Sequence, residues 1–169
     1  MKAAVISFTG KGGRWNRVIT DRLRSEDICC TGYGFYKYGE EGLEPFSHVR
    51  ELMESLFSSC DLLLFIGAAG IAVRAVAPFI RGKAQDPAVL VMDECAHHVI
   101  SLLSGHLGGA NEWCRRIALL TGAEPVITTA TDIKDMFEVE LVAREKGLAV
   151  RYTAAQRAGS GRMAEGGRA

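Results

Sequence analysis

Between Leu62 and Ile80 the chain is almost wholly apolar, interrupted only by Gly67, Gly70, Arg74 and Pro78. A run this apolar must be buried, either in a bilayer or in the middle of a layered domain. A mid-span arginine costs about 2.5 kcal/mol or more on insertion scales, and the two glycines cut the run into pieces too short to span. The run therefore reads as a buried strand, Asp61–Gly67, followed after a glycine turn by a buried helix from Gly70 to about Ile80. Ile71, Ala72, Ala75, Val76, Phe79 and Ile80 share one side of that helix, with Arg74 and Arg81 opposite. A strand that is apolar at every position needs cover on both faces, which makes it central.

The same alternation recurs along the chain. Lys2–Phe8 is a fully buried strand, Thr9–Gly13 a plain tight turn, and a polar helix continues to about Arg24. The glycines Gly10, Gly12 and Gly13 match neither G-x-x-x-x-G-K-[ST] nor G-x-G-x-x-G, so they carry no nucleotide signature. Ile28–Phe35 is a second strand, with a loop through Glu44. Pro45–Ser58 reads as a helix, its Val49, Leu52, Met53, Leu56 and Phe57 at helical spacing. Val89–Met92 and His98–Leu103 pair as a hairpin around Asp93-Glu94. In the next helix, Ala110 to Leu120, the residues Ala110, Trp113, Ile117 and Leu120 face the core and Asn111, Glu112 and Arg115 face outward. Thr121-Gly122 closes it. Pro125–Thr129 is a last strand, and Thr131 or Asp132 caps a last helix. This order predicts an α/β, Rossmann-like domain over residues 1–150, its mostly parallel sheet flanked by helices. Residues 151–169, dominated by Ala, Gly, Arg and Ser, read as a disordered tail or linker stump.

The 20 basic and 20 acidic residues balance, so no global field favours nucleic acid or an anionic membrane. Five scattered cysteines without a C-x-x-C pair argue for reduced thiols. With no signal-peptide pattern at the N-terminus, a cytoplasmic protein is expected.

Chemistry concentrates in Ser101-Leu-Leu-Ser-Gly-His-Leu-Gly-Gly-Ala-Asn111, an apolar strand breaking into a glycine-lined loop and then a helix. Backbone N–H groups at a helix start point into such a loop, and Gly105, Gly108 and Gly109 let a ligand approach closely. His106 is displayed there, and imidazole exchanges protons near neutrality, as general acid–base work requires. Ser104 stands two residues away, but no third group is placed to orient a Ser–His pair. Gly67-Ala-Ala-Gly70 with Arg74 is a second helix start, suited either to an anion or simply to close packing. The adjacent His97 and His98 would point to opposite faces of a strand and could not share an ion. Asp93, Cys95 and His106 nearby fit no standard metal spacing, so the histidines are expected to be solvated.

Four blocks then carry a resemblance: Gly67-Ala-Ala-Gly-Ile-Ala-Val-Arg-Ala-Val-Ala-Pro78, Val91-Met-Asp-Glu94, Val99-Ile-Ser-Leu-Leu-Ser-Gly-His-Leu-Gly-Gly-Ala-Asn-Glu112 and Pro125-Val-Ile-Thr-Thr-Ala-Thr-Asp132. In this order they resemble the cobalt-precorrin-5A hydrolase family (CbiG) of anaerobic cobalamin biosynthesis, over roughly Lys2–Val150. The resemblance implies a hydrolase that opens the δ-lactone of a cobalt-bearing, ring-contracted tetrapyrrole and releases acetaldehyde, giving cobalt-precorrin-5B. His106 would be the base for water, with Ser104 beside it. The Gly105–Gly109 backbone and the helix start at Ala110 would be oxyanion donors. Arg74 with Gly67 and Gly70 would seat substrate carboxylates. Asn111, Thr128, Thr129 and Asp132 would line the same crevice at the carboxyl ends of the strands. The cobalt belongs to the substrate, so no protein-bound cofactor or metal is expected. Implied partners are the cobalt-tetrapyrrole itself and a C-terminal domain supplied separately, or other enzymes of the pathway. The other readings are a non-catalytic corrinoid-binding fragment and a nucleotide-binding α/β domain.

Overall fold

A computed structural model describes residues 1–82 and 84–129. Asp132, the helix expected after it and the 151–169 tail lie outside the described residues. The elements are β1 (Lys2–Ser7), α1 (Gly10–Arg24), β2 (Cys29–Phe35), β3 (Glu44–Phe46), α2 (Val49–Leu56), β4 (Leu62–Ile66), α3 (Ala69–Val76), β5 (Ala88–Met92), β6 (His98–Leu103), α4 (Ala110–Thr121) and β7 (Glu124–Val126). They build one seven-stranded sheet in the order β3-β2-β1-β4-β5-β6-β7. The first five strands are parallel, β6 runs antiparallel to β5, and β7 is parallel to β6.

Alternation along the central strands assigns side chains to two cores. Val5, Leu64, Ile66, Leu90 and Met92 point to the face covered by Ile19 and Leu23 of α1 and by Cys114 and Ile117 of α4. Ile6, Leu63, Phe65, Val89 and Val91 point to the face covered by Met53 and Leu56 of α2 and by Ala72, Ala75 and Val76 of α3. All five residues of β4 are at most 1% exposed, as the apolar run required. Burying each such side chain contributes about 1.5–3 kcal/mol.

Several local expectations are corrected. The glycines after Thr9 form the first turn of α1, not a tight turn. Thr9 Oγ1 accepts from Gly12 N at 3.1 Å and caps the helix. A Cβ on Gly12 would stand 3.2 Å from Ile66 Cγ2, so this residue lets helix and strand approach. Pro45 and Phe46 belong to the short edge strand β3, and α2 begins only at Val49. Helix α3 stops at Val76, because Pro78 has no N–H for the Arg74 carbonyl. Ile80, expected inside, is 47% exposed. Asn111, expected outward, is buried, since it shares the face of Cys114 and Ala118 on α4.

Candidate functional site

The parallel strands β1 and β4 are neighbours whose following helices pack on opposite faces, so the chain diverges between them. Their carboxyl ends carry two helix starts, Gly10–Gly12 and Ala69–Gly70. Ligands of open α/β sheets bind at such a divergence. Arg74 Nη1 donates back to the Gly70 carbonyl at 3.2 Å, which holds the guanidinium over the start of α3. The β5–β6 turn joins the same edge: Thr9 Oγ1 donates to Glu94 Oε2 at 2.6 Å, and Lys11 Nζ to Cys95 Sγ at 3.0 Å.

The histidine loop lies at the other edge. Because β6 is antiparallel to β5, Leu103 pairs with Val89 near the start of β5, and the chain leaves β6 beside the amino ends of the central strands. Gly67 and His106 are thus separated by roughly the length of β4, about 16 Å at ~3.3 Å per residue. The residues expected to share one crevice therefore fall at two edges. Gly67, Gly70 and Arg74 occupy one edge, while Ser104, Gly105, His106, Gly108, Gly109, Asn111, Thr128 and Thr129 occupy the other.

The histidine loop is closed on itself. Gly109 N donates to the His106 carbonyl (3.2 Å), Ala110 N to that of Ser104 (3.2 Å) and Asn111 N to that of Gly105 (3.0 Å). The three N–H groups at the start of α4 are therefore engaged within the loop, and they do not point at a ligand. Gly109 has φ +78°, where only glycine is unstrained, and a Cβ on Gly108 would lie 2.4 Å from Ser104 Cβ. His106 and Leu107 project from this frame, with Leu107 76% exposed.

Two side chains anchor the loop. Asn111 Oδ1 accepts from Ser101 Oγ at 2.7 Å, and its Nδ2 donates to Thr129 Oγ1 at 2.7 Å, so strand β6, helix α4 and the segment after β7 are tied together. Asn111 is thus a bracing residue, engaged on both sides of its amide. Ser104 Oγ donates to the Asp86 carbonyl at 3.2 Å, which turns the hydroxyl toward the segment before β5 and away from a pairing with His106.

Sequence reasoning missed that segment. The buried Asp86 carboxylate accepts from Arg81 N (2.9 Å to Oδ1) and Gly82 N (3.1 Å to Oδ2), drawing Arg81 and Gly82 against Asp86, whose carbonyl Ser104 reaches. Arg81, exposed, is therefore a cation at the histidine edge, the position expected of Arg74. The available signal was the Asp86-Pro87 pair ahead of a strand whose hairpin partner leads into the histidine loop.

The paired histidines are exposed, as expected, but they do not lie on opposite faces of one strand. His97 lies in the turn, since β6 starts at His98, and both rings reach Asp93: His97 Nδ1 is 3.7 Å from Oδ1 and His98 Nδ1 is 3.9 Å from Oδ2. Desolvation opposes charge on Asp93, but N–H donors from His98, Cys95 and His97 outweigh it and hold the carboxyl below its ordinary range. All five cysteines are free thiols; burial pushes Cys30 and Cys114 up to about 11. Among the described residues, no helix is long and apolar enough to cross a membrane.

These features define a doubly wound α/β domain with glycine-bearing loops at both edges of its sheet. Residues 51–132, just under half of the chain, match the family model described as Cobalamin synthesis G N-terminal. Over 108 residues it is 50% identical to the cobalt-precorrin-5A hydrolase of Salmonella typhimurium, a match covering 63% of this chain and 31% of that protein. The cobalt-precorrin-5A hydrolase of Priestia megaterium is 45% identical over 109 residues, covering 64% and 29%. A solved cobalamin biosynthesis protein G homolog from Sulfolobus solfataricus superimposes with a TM-score of 0.61 at 28% identity, over 75% of this chain and 36% of that one. The matches thus span about a third of the length of these relatives.

Proposed function

We propose that this chain acts in cobalamin biosynthesis as the N-terminal α/β portion of a cobalt-precorrin-5A hydrolase. The 50% identity to the Salmonella typhimurium protein carries this reading, since the matched family region contains both glycine-bearing loops. The substrate is a cobalt-tetrapyrrole δ-lactone. Water adds to the lactone carbonyl as His106 takes its proton, and the ring C–O bond breaks to leave a carboxylate and an alkoxide. The alkoxide carbon becomes the carbonyl of acetaldehyde as its bond to the macrocycle breaks, and the electron pair left on the macrocycle is protonated.

Substrate sits at the histidine edge, against His106, Leu107, Thr128 and Thr129, and Arg81 takes a peripheral carboxylate. Arg74, Gly67 and Gly70, about 16 Å away by the strand rise, form a separate anion seat. Asp132, three residues after Thr129 in sequence, is a further candidate contact for the substrate. Cobalt arrives within the substrate, and the reaction draws on no metal held by the protein. The free thiols favour a cytoplasmic setting.

The engaged N–H groups of residues 109–111 favour a second reading, in which this domain holds the tetrapyrrole and the oxyanion donors come from the remainder of the enzyme. The deciding experiment supplies cobalt-precorrin-5A to the chain and to His106→Ala and measures acetaldehyde. Release by the parent chain that falls about 100-fold or more in the variant supports His106 as base. Corrinoid binding without release, unchanged in the variant, supports the holding role. Neither binding nor release would refute both.

A further inference from the structure

The β5–β6 turn gathers three chemically different donors that the hydrolytic reading leaves unused. Asp93, Cys95 and His97 each present one ligand atom, and these atoms all lie within 4.8 Å of one another. Asp93 is preorganised, because Cys95 N donates to Oδ1 at 2.9 Å, while His97 N and His98 N donate to Oδ2 at 2.9 and 2.7 Å. The carboxylate is thus held in one orientation, with His97 Nδ1 3.7 Å from Oδ1.

We propose that Asp93, Cys95 and His97 form a surface site for one borderline divalent cation of the Zn²⁺/Co²⁺ class. The donor set selects the class: a thiolate and an imidazole disfavour Mg²⁺ and Ca²⁺, which take oxygen, while one oxygen, one sulfur and one nitrogen suit a tetrahedral zinc-like ion. Bonds of about 2.0–2.3 Å put tetrahedral ligands about 3.3–3.8 Å apart, so the side chains need close by only about 1 Å. Cys95 and His97 are side chains of an exposed turn and can make that movement. Water fills the fourth position. Lys11 Nζ now donates to Cys95 Sγ at 3.0 Å, and the cation replaces it on the sulfur. Exposure and the intervening sheet separate this site from His106, so the ion fastens the turn and takes no part in the lactone chemistry.

The test titrates Co²⁺ into the tag-free, reduced 169-residue chain and reads its visible bands and the thiolate-to-cobalt charge-transfer absorption, with Zn²⁺ as competitor. One equivalent binds with a charge-transfer band, and Cys95→Ser abolishes the band. His97→Ala weakens binding by more than the about 10–100-fold that an outer-shell loss costs. Cys29→Ser, which removes the other exposed thiol, leaves the spectrum unchanged, and Lys11→Met tightens binding. Absence of one-to-one binding, a charge-transfer band that survives Cys95→Ser or disappears with Cys29→Ser, or weaker binding in Lys11→Met would overturn the proposal.

Discussion

Removing the Asn111 amide tests the account of the histidine loop. In Asn111→Ala two bonds of 2.7 Å disappear, one from Ser101 Oγ and one to Thr129 Oγ1. Each contributes about 0.5–1.5 kcal/mol net, and stranding the partly buried Ser101 hydroxyl adds about 1–3 kcal/mol. Alanine's better helix propensity offsets about 0.5 kcal/mol. The terms sum to about 1.5–5.5 kcal/mol, with about 2–4 kcal/mol the central expectation, a large share of a stability of about 5–15 kcal/mol. For a chain of this size that lowers Tm by about 5–12 °C. In urea the midpoint falls by about 1–2 M at unchanged slope. Leu119→Ala, on the same helix but 69% exposed, serves as control and shifts stability by no more than about 0.5 kcal/mol. A loss below about 0.5 kcal/mol in Asn111→Ala would refute the bracing role, because the amide would then be exchanging water for protein at no net gain.

Gly108→Ala forces a methyl to within 2.4 Å of Ser104 Cβ and 2.9 Å of its carbonyl oxygen, so the loop must open; about 1–3 kcal/mol is lost in urea unfolding, and a neutral result would contradict the closed geometry. Asp93 has a depressed folded-state pKa, so its contribution is complete above the unfolded value of about 3.9 and disappears as pH falls through the lower folded value. Urea midpoints should therefore drop below about pH 4 in the parent chain and drop less steeply in Asp93→Asn. Thiol titration at pH 8 should find Cys29 and Cys95 reacting fast and Cys30, Cys60 and Cys114 only after unfolding; a third fast thiol would contradict the burial of one of them.

Some of this architecture follows from local pattern. The unbroken apolar run Leu62–Ile66 could be only a central strand, and the spacing of Met53, Leu56 and Phe57 marked α2. Gly122, at φ +77°, ends α4 where the sequence placed a cap. The His98–Leu103 hairpin was equally legible, because acidic turn residues separate two short apolar runs. The display of His106 on a glycine loop could be read as well, since the glycines are local in their effect.

Where each loop points was not legible, and neither was the company of Asn111. An outward reading of Asn111 follows from its polarity, yet Ser101 and Thr129, ten and eighteen residues away, make the interior the better solvent for its amide. Arg74 and His106 looked like parts of one site because each follows a strand into a helix. The sequence by itself determined that two such turns exist and which residues they carry. Only the tertiary structure put them on opposite edges, because a strand's direction is set by hydrogen bonding to its neighbour, and β6 pairs with β5 in reverse.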